Sequence, residues 1–252
     1  MSNQTKPQIV LVPGAAHGPE CMVPLMTKLH ALGYTTHCEK MASVGNPNPP
    51  ADLSEDIAIL RREVEDAIAE GNDVVVIPHS WGGIVASNAL RSLSKTEREA
   101  QGQKGGVIRI GYIASFLLPE GASPLTGVKR EENQPRLFAP QGNQLHAVMP
   151  ELLYNDLPED EQKKWIATLQ TQALSSFITP ATYAAWMHIP SSYLLCEEDR
   201  AIAPAVQEAM VKAAKEAGAD MKVTRIKSGH SPFLSRTEET AEWIRGVAGE
   251  KV

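Results

Sequence analysis

The stretch "DVVVIPHSWGGIVASNALRS", residues 73–92, decides how this chain is read. Val74 to Ile77 form an unbroken apolar run of β-branched residues, the pattern of a strand buried on both faces. The run stops at a Pro-His-Ser-Trp-Gly-Gly turn, and apolar residues at helical spacing follow. A serine at such a corner, with small residues around it, fits the nucleophile elbow usually written G-x-S-x-G. Its five positions here are Pro78, His79, Ser80, Trp81 and Gly82. The turn strains the serine backbone, projects Oγ into a cleft, and leaves the positive end of the next helix behind it, where an oxyanion is favoured. The plainer alternative is a serine that only caps that helix. The rest of the chain separates the two.

Working outward, strand and helix patterns alternate. "QIVLV" (8–12) reads as a buried strand, "PECMVPLMTKLHALG" as a helix closed by Gly33, and "YTTHCEK" as a second strand. The prolines and asparagines of "SVGNPNPPAD" forbid regular structure. A helix then starts at Asp52 or Ser54, with Ile57, Leu60, Val64 and Ile68 on one face. Beyond the elbow come the polar connection "SLSKTEREAQGQKGG", the strand "VIRIGYIAS", and, much later, "SSYLLCEED", the helix "APAVQEAMVKAAKEAG", the strand "MKVTRI" and a terminal helix from about Thr237. This alternation predicts an α/β fold with a mostly parallel sheet flanked by helices.

Residues 117–188 break the rhythm. A loop rich in Pro, Gly and Asn precedes two amphipathic patterns, "LPEDEQKKWIATLQTQALSSFI" and "TPATYAAWMHIP". The expected organisation is a core made of 1–116 and 189–252, with 117–188 inserted as a helical cap over the sheet's C-terminal edge, before the strand that carries the acid. Open α/β sheets bind ligands at that edge.

Size and composition bound the function. The 252 residues suffice for a substantial core, and 42% hydrophobic with 21% charged residues is ordinary for a globular protein. The net charge of −6, with scattered lysines and arginines, gives a nucleic-acid backbone no reason to bind. No run approaches a membrane span, and the polar start "MSNQTKPQ" lacks an apolar signal core, so a cytoplasmic protein is expected. Cys21, Cys38 and Cys196 lack metal-site spacing and read as reduced packing residues; neither metal nor cofactor is expected.

A serine hydroxyl needs a base, and the base needs an acid to orient it. Of seven histidines, His30 and His37 sit within a helix and a strand, His146 and His188 in the cap, and His79 beside the serine, buried against the core. His230, in "KSGHSPFLS" after the last strand, stands at the sheet's C-terminal edge. The loop after the preceding strand offers Glu197, Glu198 and Asp199 as the acid. The order serine, acid, histidine is the third agreement. An oxyanion hole needs the N–H of Trp81 and a second one, for which the loop "VPGAAHG" offers Gly14 and Ala15. His17 of that loop is placed either to line the pocket or to hold the loop from the surface.

With these residues in view, the chain resembles the α/β-hydrolases, and more narrowly the branch of plant methylesterases (the salicylate-binding esterase type) and α/β-fold hydroxynitrile lyases. Their H-G-A-x-H-G is matched by "PGAAHG", G-H-S-L-G-G by "PHSWGG", C-x-E-D-[KR]-x-I-P by "CEEDRAIAP", and the base loop by "KSGHSP". The similarity covers about 8–116 and 189–245. It implies Ser80 as nucleophile, Asp199 rather than Glu198 as the orienting acid, His230 as base then acid, and Ala15 and Trp81 as oxyanion-hole donors. Pro13 and Pro78 depart from the family's histidine and glycine, and Trp81 from a leucine, which is expected to narrow the acyl side of the pocket. The related lyases carry a threonine where this chain has Gly14, and a lysine just after the base where it has Ser231 and Pro232.

The expectation is therefore a hydrolase of a carboxylic ester or lactone of a small apolar molecule. The partner is that substrate, with no nucleic acid and no membrane, and a homodimer is left open. Gly14 and His17 are candidate pocket residues, and the aromatics Phe116, Phe177, Tyr183 and Trp186 fit pocket wall and cap packing equally. The alternatives are a cofactor-free carbon–carbon lyase or eliminase using the same triad, and a small-molecule receptor of the same fold.

Overall fold

A computed structural model of the chain describes residues 6–127 and 136–251; residues 1–5, 128–135 and 252 lie outside them. In chain order the core begins with β1 (Gln8–Val12), α1 (Val23–Ala31), β2 (Thr36–His37), α2 (Ser54–Ile68), β3 (Asp73–Pro78), α3 (Gly82–Ala89), α4 (Lys95–Ala100) and β4 (Gly106–Ile113). The insertion contributes α5 (Pro124–Gly127), β5 (Phe138–Gln141), β6 (Gln144–Ala147), α6 (Glu159–Ile166), β7 (Gln172–Ala173) and α7 (Ser175–Ile178). The core resumes with β8 (Ser191–Cys196), α8 (Pro204–Glu216), β9 (Met221–Ile226), α9 (Pro232–Ser235) and α10 (Thr237–Val247).

Six strands form one sheet in the order β2-β1-β3-β4-β8-β9, every neighbouring pair parallel. Side chains alternate across it as the period of a strand requires. Val10, Val12, Val74 and Val76 pack toward Leu60 and Val64 of α2, Ile84 and Val85 of α3, and Met210 of α8. Ile9, Leu11, Val75 and Ile77 face Leu25 and Leu29 of α1 and Ile244 of α10. The continuous apolar runs of β1 and β3 thus reflect burial on both faces, as expected. The fold class is that expected: an α/β-hydrolase fold.

Three details differ from the sequence reading. β2 shrinks to two residues, and the polar connection after α3 contains α4. The insertion is not purely helical. β5 and β6 pair antiparallel around Gly142 and Asn143, with Gly142 at φ 62°, and β7 adds a third strand. A glycine-asparagine pair that tolerates positive φ is a hairpin signal, hidden here by Pro140 and by strands only four residues long. The three cysteines are free, with Cys21 and Cys196 buried.

Candidate active site

The elbow sits where β3 hands over to α3. Ser80 adopts φ 53°, the left-handed region that non-glycine residues enter only under constraint. The constraint is visible. The Ser80 N–H donates to Ile113 O (3.1 Å), and its carbonyl accepts from Phe116 N (3.1 Å) and Ser115 Oγ (2.7 Å). Gly82 and Gly83 are there for space. A Cβ on Gly82 would stand 2.7 Å from Pro13 O, and one on Gly83 2.5 Å from Phe116 O. Pro78 leaves this geometry intact, since it merely ends β3 opposite Val12.

Asp199 and His230 follow β8 and β9, so the sheet delivers both to the edge where Ser80 stands. His230 Nδ1 lies 2.7 Å from Asp199 Oδ2, and both side chains are almost fully buried. A carboxylate in that position accepts, so Nδ1 carries the proton and Nε2 is the nitrogen left to take one. Asp199 also accepts from Ala201 N (2.8 Å), Ile202 N (2.9 Å) and Gln207 Nε2 (2.9 Å). Four donors fix one carboxylate and stabilise its charge out of water. Glu198, the rival acid, instead stands 4.0 Å from Lys227 near the surface.

The loop that carries His230 is clamped from outside the core. Gly229 N donates to Asp156 Oδ2 (2.7 Å) and Ser231 Oγ to Leu153 O (2.9 Å), so the insertion grips the chain on either side of His230. From below, His79 Nε2 donates to the His230 carbonyl (2.9 Å). Burial holds the His79 pKa well below its usual value, so the ring is neutral and its Nδ1 bare.

After β1 the chain turns through Gly14, Ala15 and Ala16, the last at φ 64°. Among the described residues, neither the Ala15 nor the Trp81 backbone N–H donates to a protein acceptor. Both are free to serve an external oxygen. His17 is buried, and burial pushes its pKa down to about 4. As a neutral ring it donates from Nδ1 to Ala15 O (2.7 Å), because a carbonyl can only accept, and its Nε2 accepts from Tyr154 OH (2.7 Å).

Gly14, Ala15, His17, Ser80 and His230 all line one cavity of about 320 Å³. Its walls are apolar, from Phe116 and Ile202 of the core and Leu145, Leu153, Leu174 and Phe177 of the insertion, with Arg136 as a charged contributor. Of the candidate aromatics, Phe116 and Phe177 are therefore pocket wall. Tyr183 and Trp186 are not. Tyr183 stacks on His188 (4.8 Å) beneath Arg91, and Trp186 donates its indole N–H to Leu118 O (3.2 Å). Both pack into the core beside α3. Trp81 also departs from expectation. Its side chain is fully buried and donates to Ser176 O (3.2 Å), so it fills the core rather than narrowing the cavity. Gln207, Asp156 and Tyr154, which hold Asp199, the His230 loop and His17, carried no recognisable motif. No group of three His, Cys, Asp or Glu side chains set to hold a metal occurs among the described residues.

A parallel sheet with a strained serine after its third strand, and an acid and a histidine delivered after two later strands, defines the class of α/β-fold hydrolases. The chain belongs to the alpha/beta hydrolase family, which it matches over residues 9–243. It is 34% identical to the alpha/beta hydrolase nvfD of Aspergillus novofumigatus over 98% of both chains. Among solved structures, a pyrethroid hydrolase from Sphingobium faniae superposes with a TM-score of 0.77 at 24% identity, covering 96% of this chain and 97% of that one. Polyneuridine aldehyde esterase does so with a TM-score of 0.76 at 18% identity, over 97% of this chain and all of the other. No helix among the described residues is long and apolar enough to cross a membrane.

Proposed function

We propose that this chain is a serine hydrolase that cleaves a carboxylic ester or lactone of a small, largely apolar molecule, with residues 117–188 acting as its cap. One observation carries the reading: Ser80, in its left-handed turn, and His230, hydrogen-bonded to Asp199 behind it, line the same apolar cavity, and the backbone N–H groups of Ala15 and Trp81 have no protein acceptor among the described residues. Membership of the hydrolase family supports it.

In this reading His230 Nε2 takes the Ser80 proton as Oγ bonds to the substrate carbonyl carbon. The carbonyl π pair becomes an oxyanion, held by Ala15 N–H and Trp81 N–H. Collapse re-forms the carbonyl and breaks the bond to the alcohol oxygen, which receives the proton from His230. Water then attacks the acyl-serine with His230 again as base, giving the acid and free Ser80. Asp199 keeps the ring in the required tautomer and stabilises the imidazolium. Base and hole each contribute on the order of 10²- to 10³-fold. A cavity of about 320 Å³ lies at the small end of ligand pockets and suits a compact substrate.

Intact-protein mass after treatment with a fluorophosphonate tests this. Wild type is expected to gain one adduct and Ser80→Ala none. An unlabelled, folded wild type would overturn the reading.

A further inference from the structure

The oxyanion loop is held by a residue far away in sequence. Ala16, the residue next to the Ala15 donor, is fixed at both backbone polar groups by the insertion. Its N–H donates to Gln172 Oε1 (2.9 Å), and its carbonyl accepts from Gln170 N (2.9 Å). Gln172 has no exposed surface. Its amide nitrogen donates to Ser43 Oγ and Ser176 Oγ, both at 2.8 Å. Those hydroxyls already spend their own protons, Ser43 on Asp56 Oδ1 (3.0 Å) and Ser176 on Ala173 O (2.7 Å). Both must therefore accept from Gln172, which permits one orientation of the amide and turns its oxygen toward Ala16.

The same segment reaches the other donor. Trp81 Nε1 donates to Ser176 O (3.2 Å), four residues beyond Gln172. Leu174 and Phe177, which alternate with these contacts, line the cavity. One short stretch, 172–177, thus touches the space for substrate on one side and holds both halves of the anion-binding corner on the other.

We propose that Gln172 is a positioning residue that sets the Ala15 N–H for the oxyanion, making the hole a joint product of the core and the insertion. This rests on the serine-hydrolase reading above. Gln172 does not line the cavity, so it acts through Ala16 and its loss should spare ground-state binding. For Gln172→Leu, the expected result is a kcat lower by roughly 10- to 100-fold at nearly unchanged KM, short of the ~10²- to 10³-fold cost of losing a donor outright. Affinity for a trifluoromethyl ketone, whose tetrahedral adduct bears the oxyanion, should fall in parallel with kcat. Affinity for the product acid should stay level.

A purely structural role would lower melting temperature and leave kcat per titrated serine as in wild type; that result overturns the proposal. Should Gln172→Leu fail to fold, Gln172→Asn keeps the amide but draws its oxygen back by one methylene. Reduced kcat at unchanged KM is again expected, and wild-type kcat overturns the proposal. A wild type that reacts with fluorophosphonate while the variants match it sinks this inference alone. An unreactive wild type sinks the hydrolase reading beneath it.

Discussion

His79 Nε2 holds the backbone carbonyl of His230 at 2.9 Å, so the residue beside the elbow serine supports the histidine expected to activate it. The rings lie 4.6 Å apart, and Phe233 closes on the far side of His79 at 4.8 Å. The contact joins the segments that follow β3 and β9 directly.

His79→Phe removes that donor and leaves a buried carbonyl unpaired, which costs about 1–3 kcal/mol. Both folding stability and kcat are expected to fall, kcat by roughly tenfold as the His230 backbone relaxes. Urea denaturation beside steady-state kinetics checks this. A variant less stable than wild type but equal in kcat would reduce His79 to a packing residue.

Asp199→Asn keeps one oxygen to accept from Ala201 and Ile202, but puts an N–H donor where Gln207 and His230 both donate. The His230 ring is expected to turn or change tautomer, lowering kcat about 10³- to 10⁴-fold with the fold kept. Circular dichroism and kcat on the same preparation provide the test. A drop below tenfold would mean that another group orients the base.

Glu63, on α2, is buried with neither carboxylate oxygen paired among the described residues. Burial, then the nearby Glu39 charge, raises its pKa from 4.5 to about 8. Between those values the folded chain keeps a proton that the unfolded chain has released. Stability should therefore decline as pH rises across that window, by up to about 1.4 kcal/mol per pH unit, and level off above it. Glu63→Gln cannot release the proton, so its advantage over wild type should grow from pH 5 to pH 8.5. Parallel melting temperatures across that range would count against a protonated Glu63.

The sheet was legible because burial on both faces writes apolar runs such as Val74–Ile77, and the elbow because Gly82 and Gly83 leave room for Pro13 and Phe116. The loops of His230 and of the acidic run 197–199 were legible because a parallel sheet sends the ends of β8 and β9 to one edge, whereas the choice of Asp199 within that run came from the family resemblance. The direction of the large aromatic side chains was not legible. Trp81, Tyr183 and Trp186 look like pocket residues by type, yet each turns to packing neighbours that no local pattern announces. Gln172 and Asp156 act through single hydrogen bonds across more than seventy residues of chain, a relation that only the assembled fold creates.

The positive φ of Ser80 has a consequence for how such a chain changes over generations. A non-glycine residue held there costs on the order of 1–3 kcal/mol, which glycine would largely avoid. Drift toward greater robustness therefore runs against the residue proposed as nucleophile. On the proposed reading the serine persists only while turnover is selected, and a descendant freed from catalysis has a short route, one residue long, to a sturdier and inert protein.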